Sequence, residues 1–175
     1  MNNAIFNFFY QFAHQSVVTD WLIKFSANYL AWVLIALLFW PLLRAVEYRK
    51  SFRPFGLMVL AVISSAVLAN LIKNFFPQAR PFMARMDVVA LFPQVADGSF
   101  PSAHATAFMA LAVIVWRFRP KWGPWYLAGA VVISLARVMA GFHWPLDILA
   151  GWVLGIIVAT CVIRIFGYNR RDVAA

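Results

Sequence analysis

Seven polar residues stand out by type and spacing. They lie in three short stretches, KNFFPQARP (73–81), PSAH (101–104) and ARVMAGFHWPLD (136–147). Lys73 and Arg80 are two cations on different backbone segments, a pair suited to clamping a divalent anion. Ser102 is a natural helix N-cap. The free N–H groups of the helix it opens carry about half a positive charge and bind phosphate oxygens readily, and His104 stands in that first turn. Arg137 adds a third cation. Pro145 suits the first position of a further helix. His143 and Asp147 flank that helix start four residues apart, so they can face each other. A carboxylate on one ring nitrogen fixes the tautomer and leaves the other nitrogen able to attack.

Each stretch alone has an ordinary reading: an interfacial lysine with a loop arginine, a cap with an interfacial histidine, an aspartate complementing a helix dipole. His104, His143 and Asp147 are also a possible metal-ligand set. Three surrounding cations would repel a metal ion and suit a phosphoryl group better.

The elements that carry these residues are apolar. Of 175 residues, 64% are hydrophobic and 12% charged, against roughly half and a quarter in soluble domains. The chain is therefore expected to be a single all-α integral membrane domain over residues 1–175. A bilayer core needs roughly 20 apolar residues of helix, and five runs approach that: about Trp21–Leu43, Phe55–Phe76, Ser102–Phe118, Trp125–Met139 and Leu146–Phe166. Ala4–Ala13 is too short to span. It reads as an amphipathic interfacial helix, or equally as a re-entrant or packed segment. Cys161 is the sole cysteine, so neither an internal disulfide nor a cysteine metal cluster can form.

The net charge of +9 lies in short clusters between the apolar runs, a pattern of membrane topology rather than of nucleic-acid binding. Arg44, Arg49, Lys50 and Arg53 follow the first run; Arg117, Arg119 and Lys121 the third; Arg164, Arg170 and Arg171 the fifth. With five spans these clusters share one side. Basic residues favour the cytoplasm, which sets the N-terminus outside and the C-terminus inside. Lys24, Lys73, Arg80, Arg85 and Arg137 defy the bias; Lys24 can snorkel, and the other four collect with Ser102, His104 and Asp147 on the outer side. Charge at mid-bilayer costs about 2.5–3.5 kcal/mol, so this gathering points to a site.

On these three stretches the chain resembles the type-2 phosphatidic acid phosphatase superfamily, whose pattern is Lys-x6-Arg-Pro, Pro-Ser-x-His and Ser-Arg-x5-His-x3-Asp. The resemblance covers about Trp21 to Phe166. It implies that His143 is a nucleophile forming phosphohistidine, that Asp147 orients it and that His104 protonates the leaving group. It further implies that Lys73, Arg80, Ser102 and Arg137 hold the phosphoryl oxygens, and that no metal or other cofactor is required. Ala136 departs from the pattern, where the family usually has serine.

The stretches FFPQARPF and ADGSFPSAHA look most like bacterial undecaprenyl-diphosphate phosphatases of the bacitracin-resistance type. That likeness implies a site on the outer face of the bacterial cytoplasmic membrane, a lipid diphosphate substrate amid membrane lipids, and no nucleic-acid partner. Phosphatidic acid and phosphatidylglycerol phosphate are alternative substrates. A non-catalytic lipid-phosphate binder or transporter is the alternative class, and it would have little use for a His143–Asp147 pair.

Overall fold

The computed structural model describes residues 2–43 and 53–166, and among these there is no β-strand. The basic positions Arg44, Arg49, Lys50, Arg170 and Arg171 lie outside the described residues.

The helices are α1 (Asn2–Tyr10), α2 (Val17–Lys24), α3 (Leu30–Leu43), α4 (Arg53–Phe75), α5 (Pro81–Ala84), α6 (Ala103–Phe118), α7 (Gly123–Met139) and α8 (Pro145–Ile165). A π-helical turn, Phe25–Tyr29, joins α2 to α3 without a break. Among the described residues, three segments are long and apolar enough to cross a bilayer: Val17–Leu38, Pro54–Phe75 and Pro145–Ile165. The other two expected spans, α6 and α7, are apolar helices of 16 and 17 residues.

The first span begins earlier than its apolar run. Ser16 accepts from Thr19 N at 3.2 Å, and Thr19 Oγ1 accepts from Ser16 N at 3.0 Å. This reciprocal cap starts the helix at Val17, and Asp20 sits in its first turn.

α6 is the centre of the bundle, packed against α4, α7 and α8. Its residues 105–112 are all buried, and many are alanines, so neighbouring backbones come close. The partner feature on α8 is Gly151 with Gly155. A Cβ at Gly151 would lie 2.9 Å from Ser102 O, and one at Gly155 would lie 3.0 Å from Ala110 N. Small residues four apart permit such an approach between membrane helices. The seam matters to the site because it locks the N-terminus of α6 to that of α8. Ser102 N donates to Asp147 O at 3.1 Å across it.

α1 is a packed segment. Phe6 is fully buried and its ring lies 5.1 Å from that of Trp144. Arg85 donates to Asn7 at 2.6 Å, Tyr10 exchanges two hydrogen bonds with Val89, and Asn2 accepts from Leu146 N at 3.2 Å. α1 thus straps the loop after α4 to the start of α8. Its opposite face, with Ile5 and Phe8, is apolar and exposed.

Candidate active site

Four helix ends meet at one end of the bundle: the C-terminal ends of α4 and α7 and the N-terminal ends of α6 and α8. The α4–α6 loop, residues 76–102, and the α7–α8 loop, residues 140–144, fill the space between them. The two loops are stitched together by Phe82 N to Gly141 O at 3.3 Å and Leu91 N to Ala140 O at 3.2 Å. Gly141 has φ +79°, a left-handed conformation that glycine adopts without Cβ strain. That turn aims His143 inward.

His143 is 1% exposed. Its Nδ1 lies 3.0 Å from Ser99 O, and its Nε2 lies 3.3 Å from Arg80 Nη1. A carbonyl only accepts and a guanidinium only donates. Nδ1 therefore carries the proton, and Nε2 presents its lone pair toward the arginine. Burial, with Arg137, Arg80 and Lys73 nearby, holds the imidazole well below its ordinary pKa of 6.5. The ring is a neutral base with a defined tautomer.

Asp147 backs this arrangement differently from the simplest expectation. Its Oδ2 lies 3.5 Å from His143 Nδ1, an ion-pair separation, while the Ser99 carbonyl makes the hydrogen bond to that nitrogen. Oδ2 is already engaged by the Ser99 hydroxyl and by Trp144 N, the latter at 2.8 Å. The carboxylate holds the loop that holds the ring, and it places a negative charge beside the imidazole. Its Oδ1 is buried and makes no hydrogen bond.

The loop side of the site contains Lys73, Arg80 and Asp97. Arg80 is 2% exposed and spends all three guanidinium nitrogens: Nε on Asp97 Oδ1 at 3.0 Å, Nη2 on the same oxygen at 2.6 Å, and Nη1 on Phe142 O at 3.1 Å. Lys73 Nζ reaches Asp97 Oδ2 at 3.3 Å. Burial pushes the Asp97 carboxyl up, and hydrogen bonds and charge from Arg80 and Lys73 outweigh that and leave it below its ordinary value.

The helix side contains Ser102, His104 and Arg137. Ser102 is fully buried and caps α6, accepting from Ala105 N at 3.4 Å. His104 is partly buried, stacks on Phe108 with centroids 6.5 Å apart, and lies within electrostatic reach of Arg137, His143, Lys73 and Arg80. Arg137 is 3% exposed and lies over the Phe142 ring at 4.9 Å, and its Nε has no hydrogen-bond partner.

All seven residues singled out by type and spacing therefore gather in one cluster. Sequence reasoning missed Ser99 and Asp97, which make its densest contacts. Both stand in ADGSFPSAH just before the recognised tetrapeptide. An acidic residue five positions upstream of the serine and seven upstream of the histidine was the available signal. Arg85 is not part of the cluster: it pairs with Asp87 at 2.5 Å and with Asn7.

Residues 54–171 match the model of the PAP2 superfamily. The chain belongs to that family. An undecaprenyl-diphosphatase of Sulfolobus acidocaldarius is 38% identical over 109 residues, 61% of this chain and 52% of that protein. Undecaprenyl-diphosphatase BcrC of Bacillus subtilis is 31% identical over 167 residues, 94% of this chain and 83% of that one. The resemblance read from the three stretches is thereby met at both levels. The crystal structure of Aquifex aeolicus LpxE superposes with a TM-score of 0.77 at 27% identity, covering 93% of this chain and 94% of that one. The long apolar helices are those of a multi-pass membrane protein.

Proposed function

We propose that this PAP2 protein is a lipid-phosphate phosphatase that cleaves a polyprenyl diphosphate such as undecaprenyl diphosphate to the monophosphate. The observation that carries the reading is the Nε2 lone pair of a buried, neutral His143, set among Lys73, Arg80 and Arg137. In the proposed reaction Nε2 attacks the terminal phosphorus. The three cations, Ser102 and the α6 N-terminus stabilise the charge that spreads over its oxygens. The bond from phosphorus to the leaving oxygen breaks as the N–P bond forms, and His104 supplies the proton to that oxygen. Asp147, 3.5 Å from the ring, favours the positive charge that the phosphorylated imidazole acquires. Water, deprotonated by His104, then cleaves the N–P bond and releases inorganic phosphate. No step calls on a metal.

Two features support a lipid substrate on the outer membrane face. An apolar groove of about 500 Å³ runs along α8, with Leu149 and Val153 on its wall and Ile72, Phe100, Pro101 and Leu146 at its upper end. Those four are sequence neighbours of Lys73, Ser99, Ser102 and Asp147, so an apolar chain lying in the groove delivers its phosphate to the cluster. The described basic residues Arg117, Arg119, Lys121 and Arg164 stand at the helix ends away from the site, which by the positive-inside bias faces the site outward from the cytoplasmic membrane.

The test is phosphate release from a panel of lipid mono- and diphosphates, with His143→Ala and His104→Ala alongside. His143→Ala is expected to lose on the order of a thousand-fold or more in turnover on every substrate, and acid-labile phosphoprotein to form only when His143 is present. His104→Ala is expected to lose roughly a hundred- to ten-thousand-fold on a lipid monophosphate and to recover partly when the leaving oxygen is already stable as an anion. Labelling that persists in His143→Ala would overturn the assignment, as would complete loss of hydrolysis in a chelator that only a divalent metal restores.

A further inference from the structure

The place between Lys73 and Arg80 is taken by Asp97. Its two oxygens bridge the two cations, with Oδ1 on the Arg80 fork and Oδ2 on Lys73. This is the arrangement in which two oxygens of a phosphoryl group would be gripped. The cations are nearly buried, at 2% for Arg80 and 10% for Lys73, whereas the Asp97 side chain is 45% exposed. The anion can therefore swing to solvent while the cations stay.

We infer that Asp97 is a tethered competitor for the phosphate seat, and that it selects a terminal phosphate over the phosphodiester headgroups around it. The inference rests on the phosphatase reading above. Its logic is charge exchange. Lys73, Arg80 and Arg137 oppose Asp97 and Asp147, leaving the cluster at a formal +1. A phosphodiester carries one negative charge, so replacing the carboxylate with it gains no net charge, and a tethered group has lost less freedom than a free one. A terminal phosphate carries close to two charges near pH 7. It gains one full charge in the exchange and offers three oxygens to Lys73, Arg80 and the partnerless Nε of Arg137. A site at headgroup depth faces phosphodiesters in large excess, and such an exchange keeps them out without a steric wall.

The experiment uses the whole protein in detergent micelles with a soluble short-chain alkyl phosphate as substrate. Inorganic phosphate and micellar phosphatidylglycerol serve as the two inhibitors. With Asp97→Asn the inhibition constant of phosphate is expected to fall about tenfold, the order of one partly exposed competing charge. Phosphatidylglycerol, nearly inert toward the wild type, is expected to become a competitive inhibitor, and Asp97→Glu to restore its exclusion. On the unmodified protein, saturating phosphate is expected to raise the modification of Asp97 by a water-soluble carbodiimide and amine, a readout that needs no variant. An unchanged or raised phosphate inhibition constant in Asp97→Asn would overturn the inference, because Asp97 would then only orient its two cations. So would phosphate-independent labelling of Asp97. Those results leave the phosphatase reading standing. Failure of the wild type both to cleave the alkyl phosphate and to bind inorganic phosphate would overturn that reading and take this inference with it.

Discussion

The two buried arginines of the site live in opposite conditions. Arg80, on the loop side, has every guanidinium nitrogen engaged by Asp97, Phe142 O or His143. Arg137, at the end of α7, rests on the Phe142 ring with a buried Nε that has no partner. A buried N–H left without an acceptor costs about 1–3 kcal/mol, so the fold carries Arg137 Nε at some expense to its own stability. The lesson is that the site is built in two halves. In one the arginine is held by the protein's own carboxylate, and in the other its Nε is unpaired.

The sharpest way to break this comparison is to neutralise each arginine in turn. Arg80→Met and Arg137→Met are both expected to lose on the order of a hundred-fold or more in kcat/KM, because each removes a charge that acts on the phosphoryl oxygens. Their stabilities are expected to diverge. Arg80→Met leaves Asp97, Phe142 O and the His143 lone pair short of donors and lowers stability by about 1–3 kcal/mol. Arg137→Met removes the unpaired buried N–H and leaves stability unchanged or higher. Inorganic phosphate is expected to raise the melting temperature of the wild type and to lose most of that effect in Arg137→Met. A large loss of stability in Arg137→Met, measured by thermal unfolding in detergent, would erase the distinction between the halves.

A smaller effect sharpens the loop half. Ser99→Ala removes the hydroxyl bonded to Asp147 and keeps the carbonyl that holds His143 Nδ1. It is expected to cost about 1 kcal/mol of stability and to lower turnover only several-fold, with the tautomer intact. Loss comparable to His143→Ala would mean that the hydroxyl, rather than the carbonyl, sets the imidazole.

The smallest effect concerns pH. The pKa of folded His143 is lowered by burial and by the neighbouring cations. Below about pH 6.5 the unfolded chain takes up a proton that the folded ring refuses. Stability is therefore full above pH 6.5 and declines as pH falls below it, by at most about 1.4 kcal/mol per pH unit for one such group. In His143→Gln the slope of melting temperature against pH is expected to be shallower between pH 6.5 and 5. An unchanged slope would mean that the ring is protonated in the folded protein, and the neutral-nucleophile assignment would fall with it.

Much of the molecule was legible before any coordinates. Long apolar runs broken by Arg, Lys and Pro become helices because lipid leaves the backbone no other partner than itself, and among the described residues the five runs fall on the continuous α2–α3 segment, α4, α6, α7 and α8. Boundaries moved by a few residues where a cap overrode hydropathy, as at Ser16. The seven clustered residues stand out in the sequence because cations, a helix N-cap, histidines and a buried carboxylate are all rare in so apolar a chain.

What the amino-acid order determined alone was the membrane class, the helix set and the identity of the charged groups and histidines that cluster. These follow from local spacing and from the high cost of polar atoms in lipid. Three things were decided only by tertiary structure. Gly151 and Gly155 set the depth of the α6–α8 seam, because close approach is a property of two surfaces and not of one. Ser99, forty-four residues from His143 in the chain, supplies the carbonyl that picks the tautomer. Asp97 bridges Lys73 and Arg80 across separations of 24 and 17 residues. Spacing within a helix announces which groups share a face, but a loop of irregular backbone carries no period. Only folding brings its carboxylate and carbonyl to the groups they govern.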